Sequence, residues 1–425
     1  MAYQNTLEFA QEMDQKDPLK SFRDKFHFPT FHKNEVVYFT GNSLGLQPKT
    51  VGARIQEELD AWAKYGVEGH FLADRPWFAY HENLTEMTAK IVGAKSEEVV
   101  VTHSLTTNLH LLMVSFYQPK GKRTKIICEA KAFPSDAYAL ESQVKFHGLD
   151  LKDNLIEIAP REGEHLINEE DVLSKIAEVG EELAMVMIGG VNYYTGQLFD
   201  MEKITKAGHA VGAKVGFDLA HAAGNINLKL HDWGVDFAAW CGYKYLNSSP
   251  GGVSGMFVHE RHAYSPNLPR FAGWWGYDKE TRFQMEPGFN PMRGAEGWQL
   301  SNAPVLGMAA HLASLEIFEE AGMDRIGEKR DSITAFLEFV IEDISERNAD
   351  RCTFEIVTPK DKSKRGAQLS ILAHGQGKDL FDELTEQGVI ADWREPNVIR
   401  IAPTPLYNSY EDCFRFGKYL ENAIQ

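Results

Sequence analysis

The segment CGYKYLNSSPGG, residues 241 to 252, sets Lys244 between two tyrosines and runs at once into Asn, Ser, Pro and Gly. An ammonium is strongly hydrated, so an aromatic setting for it has two readings. The stem packs while the charged head snorkels to water, or partial burial keeps the amine reactive, as Schiff-base chemistry requires. Asp218 in GFDLAHAAGN lies 26 residues earlier, with His221 just beyond it. A carboxylate upstream of an imine-forming lysine is the arrangement expected where an acid keeps a pyridine nitrogen protonated, as in pyridoxal phosphate enzymes. An Asp and a Lys at such a spacing also arise by chance in α/β proteins.

Two further groups have the same double character. Ser104, Leu105 and Thr106 follow EVVVT and lead into an apolar helical run; a helix start with hydroxyls and free N–H groups suits phosphate, and equally suits ordinary capping. After KIICEA come Phe133, Pro134, Ser135 and Asp136 at the opening of the next helix. Asp136 there is also a plain first-turn acid favoured by the helix dipole, and Phe133 also reads as core.

These residues need a scaffold that collects them. Between about residues 97 and 260, short apolar runs alternate with helical patterns, as a parallel sheet with crossover helices demands. The expected strands are EVVVT, KIICEA, AMVMIGGV, KVGFDLA, FAAWCG and SGMFVHE, with helices at SDAYALESQVKFHG and EKITKAGHAVG. AMVMIGGV is apolar throughout, which suits a strand covered on both faces. In open α/β sheets ligands sit beyond the carboxyl ends of the strands, so the residues that follow each strand are the ones that matter. Further on, Ile333, Phe336, Leu337, Val340, Ile341 and Ile344 share one helical face and read as core. AQLSILAH, a helix near KDLFDELTEQG, and NVIRIAP then predict a small α+β unit.

The bulk numbers narrow the partners. At 425 residues the chain exceeds what one core usually serves. A net charge of −17, from 61 acidic against 44 basic residues, argues against nucleic acid and anionic membranes. Cys128, Cys241, Cys352 and Cys413 show no metal-ligand spacing, and the first residues carry no apolar signal core, so a cytoplasmic protein without a metal site is expected.

The blocks YFTGNSLGLQPK, LTTNLHLLMVSFY, EAKAFPSDAYALESQ, APREGE, YYTGQLFDMEKITKAGHAVGAKVGFDLAHAAGNI, LHDWGVDFAAWCGYKYLNSSPGG and IRIAPTPLYNS together closely resemble the kynureninase family, from about residue 36 to the last helix. The resemblance implies an α/β, fold type I pyridoxal phosphate enzyme of the aspartate aminotransferase superfamily. Its parts would be an N-terminal segment (1–45), a large cofactor-binding domain with a mostly parallel sheet (46–305) and a small C-terminal domain (306–425). It implies hydrolysis of L-kynurenine, or its 3-hydroxy form, to anthranilate, or 3-hydroxyanthranilate, and L-alanine. The route would run through a ketimine, hydration of the side-chain ketone and Cβ–Cγ cleavage.

By the same resemblance Lys244 forms the imine, Asp218 pairs with the ring nitrogen, Phe133 stacks on the ring, and Tyr243, Leu105 and Thr106 meet the phosphate. Pro134, Ser135, Asp136 and His221 complete the cofactor surroundings. Trp274 and Asn302 match positions that reach in from a partner subunit, implying a homodimer with shared sites. Arg400 matches the clamp on the substrate α-carboxylate, and Ser43, His70 and Asn302 match substrate-facing positions. Gly189 stands where the family carries a serine. Tyr243 and His221 are both open as the group that activates water. Two other classes stay in view: a cysteine desulfurase or selenocysteine lyase on the same fold, which wants a nucleophilic cysteine on a mobile loop, and a non-catalytic pyridoxal phosphate sensor.

Overall fold

The computed structural model describes residues 3–263, 265 and 268–424. A short strand, β1 (Val37–Tyr38), precedes the seven strands of the main sheet: β2 (Val99–Val101), β3 (Lys125–Glu129), β4 (Leu155–Ile158), β5 (Leu183–Gly189), β6 (Lys214–Asp218), β7 (Phe237–Cys241) and β8 (Ser254–Val258). Their order across the sheet is β2-β8-β7-β6-β5-β3-β4. β4 through β7 and β3 pair in parallel, while β8 is antiparallel to both of its neighbours.

The direction of β8 departs from the parallel pattern read from the sequence. The connection from Gly242 to Val253 carries Pro250, Gly251 and Gly252 and forms no helix, so the chain returns beside β7 in the opposite sense. Two antiparallel steps restore the direction, and β2 therefore ends on the same edge as β3, β5, β6 and β7. The edge strand β4 was not anticipated: it is four residues long and half exposed, with little of the apolar pattern that marks a strand.

Every residue of β5 is buried. Val186 and Ile188 face one core layer and Met185 and Met187 the other, as period-2 alternation in a doubly covered strand requires. Helices α1 (Leu7–Lys16), α2 (Leu105–Phe116), α3 (Pro134–Phe146) and α4 (Met201–Ala210) precede two long ones, α5 (Val305–Ala321) and α6 (Met323–Arg347). The stripe of Ile333, Phe336, Leu337, Val340, Ile341 and Ile344 on α6 is fully buried. It packs on a second, antiparallel sheet whose order is β9 (Thr353–Ile356), β10 (Leu369–His374), β13 (Val398–Ile401), β12 (Asp392–Arg394).

The N-terminal segment is built into this second unit. β1 pairs in parallel with β11 (Val389–Ile390), which follows helix α7 (Lys378–Glu386), and Asp14 of α1 accepts the backbone N–H groups of Tyr410 and Glu411 at 2.8 and 3.0 Å. It thereby supplies acceptors and a negative charge at the start of α8 (Tyr410–Ala423). After β1 the chain crosses to the main sheet: Asn42 Nδ2 donates to Gln368 Oε1 at 2.8 Å, and Gly45 N–H donates to the Tyr243 carbonyl at 2.8 Å. A Cβ at Gly45 would lie 2.5 Å from the Lys244 carbonyl oxygen, so only glycine admits this approach. Among the described residues no helix is long and apolar enough to cross a membrane.

Candidate active site

The shared carboxyl edge of β3, β5, β6 and β7 gathers the chemistry-bearing residues into one cavity. It is lined by Leu105, Thr106, Phe133, Ser135, Asp136, Asp218, His221, Tyr243 and Lys244 from the sequence reading, and by Glu129 and Tyr193, among others, that the reading missed. A larger cleft of about 980 Å³ lies between the N-terminal segment and α8. Its buried cation and its most buried arginine are already engaged, Lys329 with Asp17 at 2.6 Å and Arg23 with Asp412 at 2.6 Å, so size alone does not single out the site.

Lys244 follows β7 and is almost wholly buried. Its Nζ lies 3.1 Å from His221 Nε2 and 5.6 Å from the centroid of the Phe133 ring. Burial, then the charges of Lys244, Arg400 and Arg394, holds His221 well below the usual imidazole range, so the ring is neutral. A neutral His221 accepts from Lys244 through Nε2 and carries its own hydrogen on Nδ1, which is buried without a protein partner.

Asp218 ends β6 and accepts the Ala220 N–H at 2.7 Å. Asp136 enters from the first turn of α3, where Pro134 at the first helical position starts the helix and stays exposed. Burial, followed by the charge of Asp218 and a hydrogen bond with it, raises the Asp136 carboxyl well above the usual range. Burial also raises Asp218, against the pull of Asp136 and Lys244. Two carboxyls this close hold a proton between them.

Pyridoxal phosphate suits what this cavity offers. Asp136 Oδ1 and His221 Nδ1 are buried without partners, and a buried polar atom left unpaired is costly. One amine stands beside an aromatic face, and the start of α2 at Leu105 and Thr106 presents N–H groups and a hydroxyl to an anion.

Arg400 stands behind the cavity rather than on its wall. Its Nε and Nη2 donate to Asp392 Oδ1 at 2.9 and 2.8 Å, and its Nη1 donates to the Tyr193 carbonyl at 2.6 Å. The Tyr193 ring, edge-on to Phe133 at 5.3 Å, lines the cavity itself. Ser43 is half-buried in the loop after β1. His70 is likewise half-buried, with Nδ1 3.0 Å from the Val67 carbonyl and its ring edge-on to Trp77. Trp274 and Asn302 are exposed and outside the cavity of this chain.

The missed residues have readable causes. Glu129 is the last residue of an apolar strand, where a buried acid is unusual, and it lies within the strand rather than after it. Its Oε1 accepts the Gly189 N–H at 3.1 Å and its Oε2 accepts Asn192 Nδ2 at 2.6 Å. The four cysteines are all buried, and burial pushes each thiol up. None has the exposed, thiolate-stabilising surroundings a desulfurase nucleophile needs.

Solved structures with the same fold include a cysteine desulfurase from Thermococcus onnurineus, with TM-score 0.74 and 19% identity over 100% of this chain and 99% of that one. Another is a C-DES mutant with glycine covalently linked to its PLP cofactor, with TM-score 0.76 and 15% identity over 91% and 96%. At this distance they establish the fold alone. Sequence relatives are much closer. The kynureninase of Flavobacterium johnsoniae is 60% identical over 100% of this chain and 99% of that protein. The kynureninase of Koribacter versatilis is 54% identical over 98% and 97%. The family described as "Kynureninase C-terminal domain" matches residues 329–420. With identity at this level running the length of both chains, the chain belongs to the kynureninase family.

Proposed function

We propose that the protein is a pyridoxal phosphate-dependent hydrolase that cleaves the Cβ–Cγ bond of L-kynurenine, or of its 3-hydroxy form, to release the anthranilate product and L-alanine. The observation that carries this reading is the meeting of Lys244, His221, Asp218 and Phe133 at one sheet edge in a chain of this family. When bound, pyridoxal phosphate supplies the electron sink that makes the substrate Cα–H bond acidic and later lets Cβ keep the electrons of the broken bond.

Lys244 is the amine that holds the cofactor and, when freed by substrate, the base that takes the Cα proton. The neutral imidazole of His221 steadies Nζ without adding a second positive charge. Asp218 would meet the ring nitrogen and favour its protonated form, Phe133 would offer the ring a stacking face, and Leu105, Thr106 and Tyr243 would hold the phosphate. Burial, and then Cys241, raises the Tyr243 hydroxyl above its ordinary range, so it remains a hydrogen donor for oxygen that gains charge on the substrate ketone.

Arg400 takes the substrate α-carboxylate. Its contacts with Asp392 and Tyr193 use three of the five guanidinium N–H groups, leaving one on each terminal nitrogen for a carboxylate. The test follows anthranilate fluorescence after L-kynurenine and 3-hydroxykynurenine are added to holoenzyme, wild type and Arg400→Ala. Wild type releases product from at least one of them. The variant shows a KM raised by roughly 10- to 100-fold, the worth of a hydrogen bond between charged groups, with cofactor binding unchanged. Wild-type holoenzyme that releases no product overturns the function, and an unmoved KM overturns the role of Arg400.

The working assembly in this reading is a cytoplasmic homodimer in which Trp274 and Asn302 complete the partner's site. The supporting observation is a surface cluster in which Phe71, Trp274 and Phe283 are each about half exposed and Met285 is 77% exposed, with Phe71 stacked on Phe78 and Phe78 on Phe283. An apolar aromatic patch of this kind marks an association surface. Light scattering is expected to give the mass of two chains. Mixing Lys244→Ala with Trp274→Ala subunits is expected to recover turnover that neither homodimer has, and a monomer or a mixture that stays inactive overturns shared sites.

A further inference from the structure

Glu129 has no task in the reaction as proposed, yet it faces the same cavity as Asp136 and Asp218. Its surroundings fix how it can hold charge. Asn192 cannot turn its amide over, because Asn192 Oδ1 already accepts the N–H groups of Tyr194 and Thr195 at 3.0 and 2.9 Å and the Thr195 hydroxyl at 3.1 Å. Asn192 Nδ2 must therefore donate to Glu129, and the Gly189 N–H donates to its other oxygen. Both carboxylate oxygens act as acceptors toward β5, so a proton on Glu129 sits on a lone pair turned away from that strand.

Gly189 makes room for this arrangement. A Cβ at that position would come within 2.7 Å of Glu129 Oε1. The carboxylate thus occupies the space of the side chain that the family resemblance expects at residue 189 and this chain lacks. On its other side β4 presents Ile158, an apolar neighbour. The charged groups that share the cavity with it are Asp218 from β6, Asp136 from α3 and Lys244 after β7, with neutral His221 beside them.

We propose that Glu129 sets the proton affinity of the cofactor bound at Lys244, acting as a buried negative charge in the polar place that Gly189 leaves open. This rests on the pyridoxal phosphate reading above. Burial pushes the Glu129 carboxyl up to about 7, against the hydrogen bonds from Asn192 and Gly189, so its charge changes across neutral pH. As the pH rises through that value the carboxylate becomes charged and favours the protonated form of its cationic neighbour.

The test is a spectral pH titration of the bound cofactor in wild-type, Glu129→Gln and Gly189→Ala holoenzymes, with thermal melting recorded alongside. Removing the charge in Glu129→Gln is expected to lower the titration midpoint by about one unit. Gly189→Ala, whose methyl displaces the carboxylate without neutralising it, is expected to lower the midpoint by less. A Glu129 that serves only the fold would lower the melting temperature and leave the midpoint in place, and that result overturns the proposal. Should Glu129→Gln fail to fold or to keep cofactor, Gly189→Ala decides: a lowered midpoint supports the proposal, and one that holds or rises overturns it. A wild-type protein without a cofactor band would instead sink the functional reading itself.

Discussion

Lys244→Ala is expected to abolish turnover, with kcat down by roughly 10⁴-fold or more, since a positioned proton-transfer group alone contributes about 10²- to 10⁴-fold and the covalent attachment is lost as well. No substitute is at hand, because Lys244 is the only amine among the described residues that line the cavity. The fold should survive, because His221 is neutral and needs no counter-charge, and the two carboxyls that lose the Lys244 cation, Asp218 and Asp136, are already raised by burial and can take up a proton in its place. Two readings check this together: the absorbance band of lysine-bound cofactor, expected to vanish, and anthranilate fluorescence, expected at background. A variant that keeps a rate within tenfold of wild type would show that another group carries the proton.

Asp218→Asn should slow removal of the substrate Cα proton by roughly 10- to 1,000-fold. An adjacent carboxylate raises the proton affinity of a cationic partner by about one to three units, and each unit corresponds to a factor of ten. The amide keeps the size of the carboxyl and can still accept the Ala220 N–H, so the change falls on charge rather than on packing. Exchange of the Cα hydrogen in deuterated water isolates this step from ketone cleavage. Wild-type exchange in a variant that binds cofactor normally would remove Asp218 from the role and point to Asp136, its proton-sharing neighbour.

Much of this was legible in the residues alone. β5 announced itself as a doubly covered strand by its continuous apolar run, and the six core positions of α6 by their helical spacing. Lys244, Asp218, His221 and Phe133 follow strands, and because the carboxyl edge of a parallel sheet is where ligands sit, their meeting in one cavity was foreseeable. What escaped lay where local pattern is silent. The reversal of β8 depends on a connection that forms no helix, and β4 is too short and exposed to carry a pattern. Arg400 was legible as a cation, but its engagement by Asp392, eight residues earlier, follows from antiparallel pairing of β12 with β13. Glu129 was hidden by its own strand, and its meaning appears only beside Gly189, sixty residues on.

The pairing of β1 with β11 also bears on how the chain is made. Residues 37 and 38 leave the ribosome long before their partners, Val389 and Ile390, which lie about 350 residues further along the chain. At about 5 to 20 residues per second the early strand waits roughly 20 to 70 s for its mate. Through that interval Val37 and Phe39, both fully buried in the finished protein, stand uncovered. The loop that follows them, whose Gly45 seats against the Tyr243 carbonyl, cannot be drawn tight from its upstream end. The main sheet and the cavity at its edge can therefore be complete while this strand and its loop are still unseated, and until then the nascent chain depends on whatever shields an apolar strand without a partner.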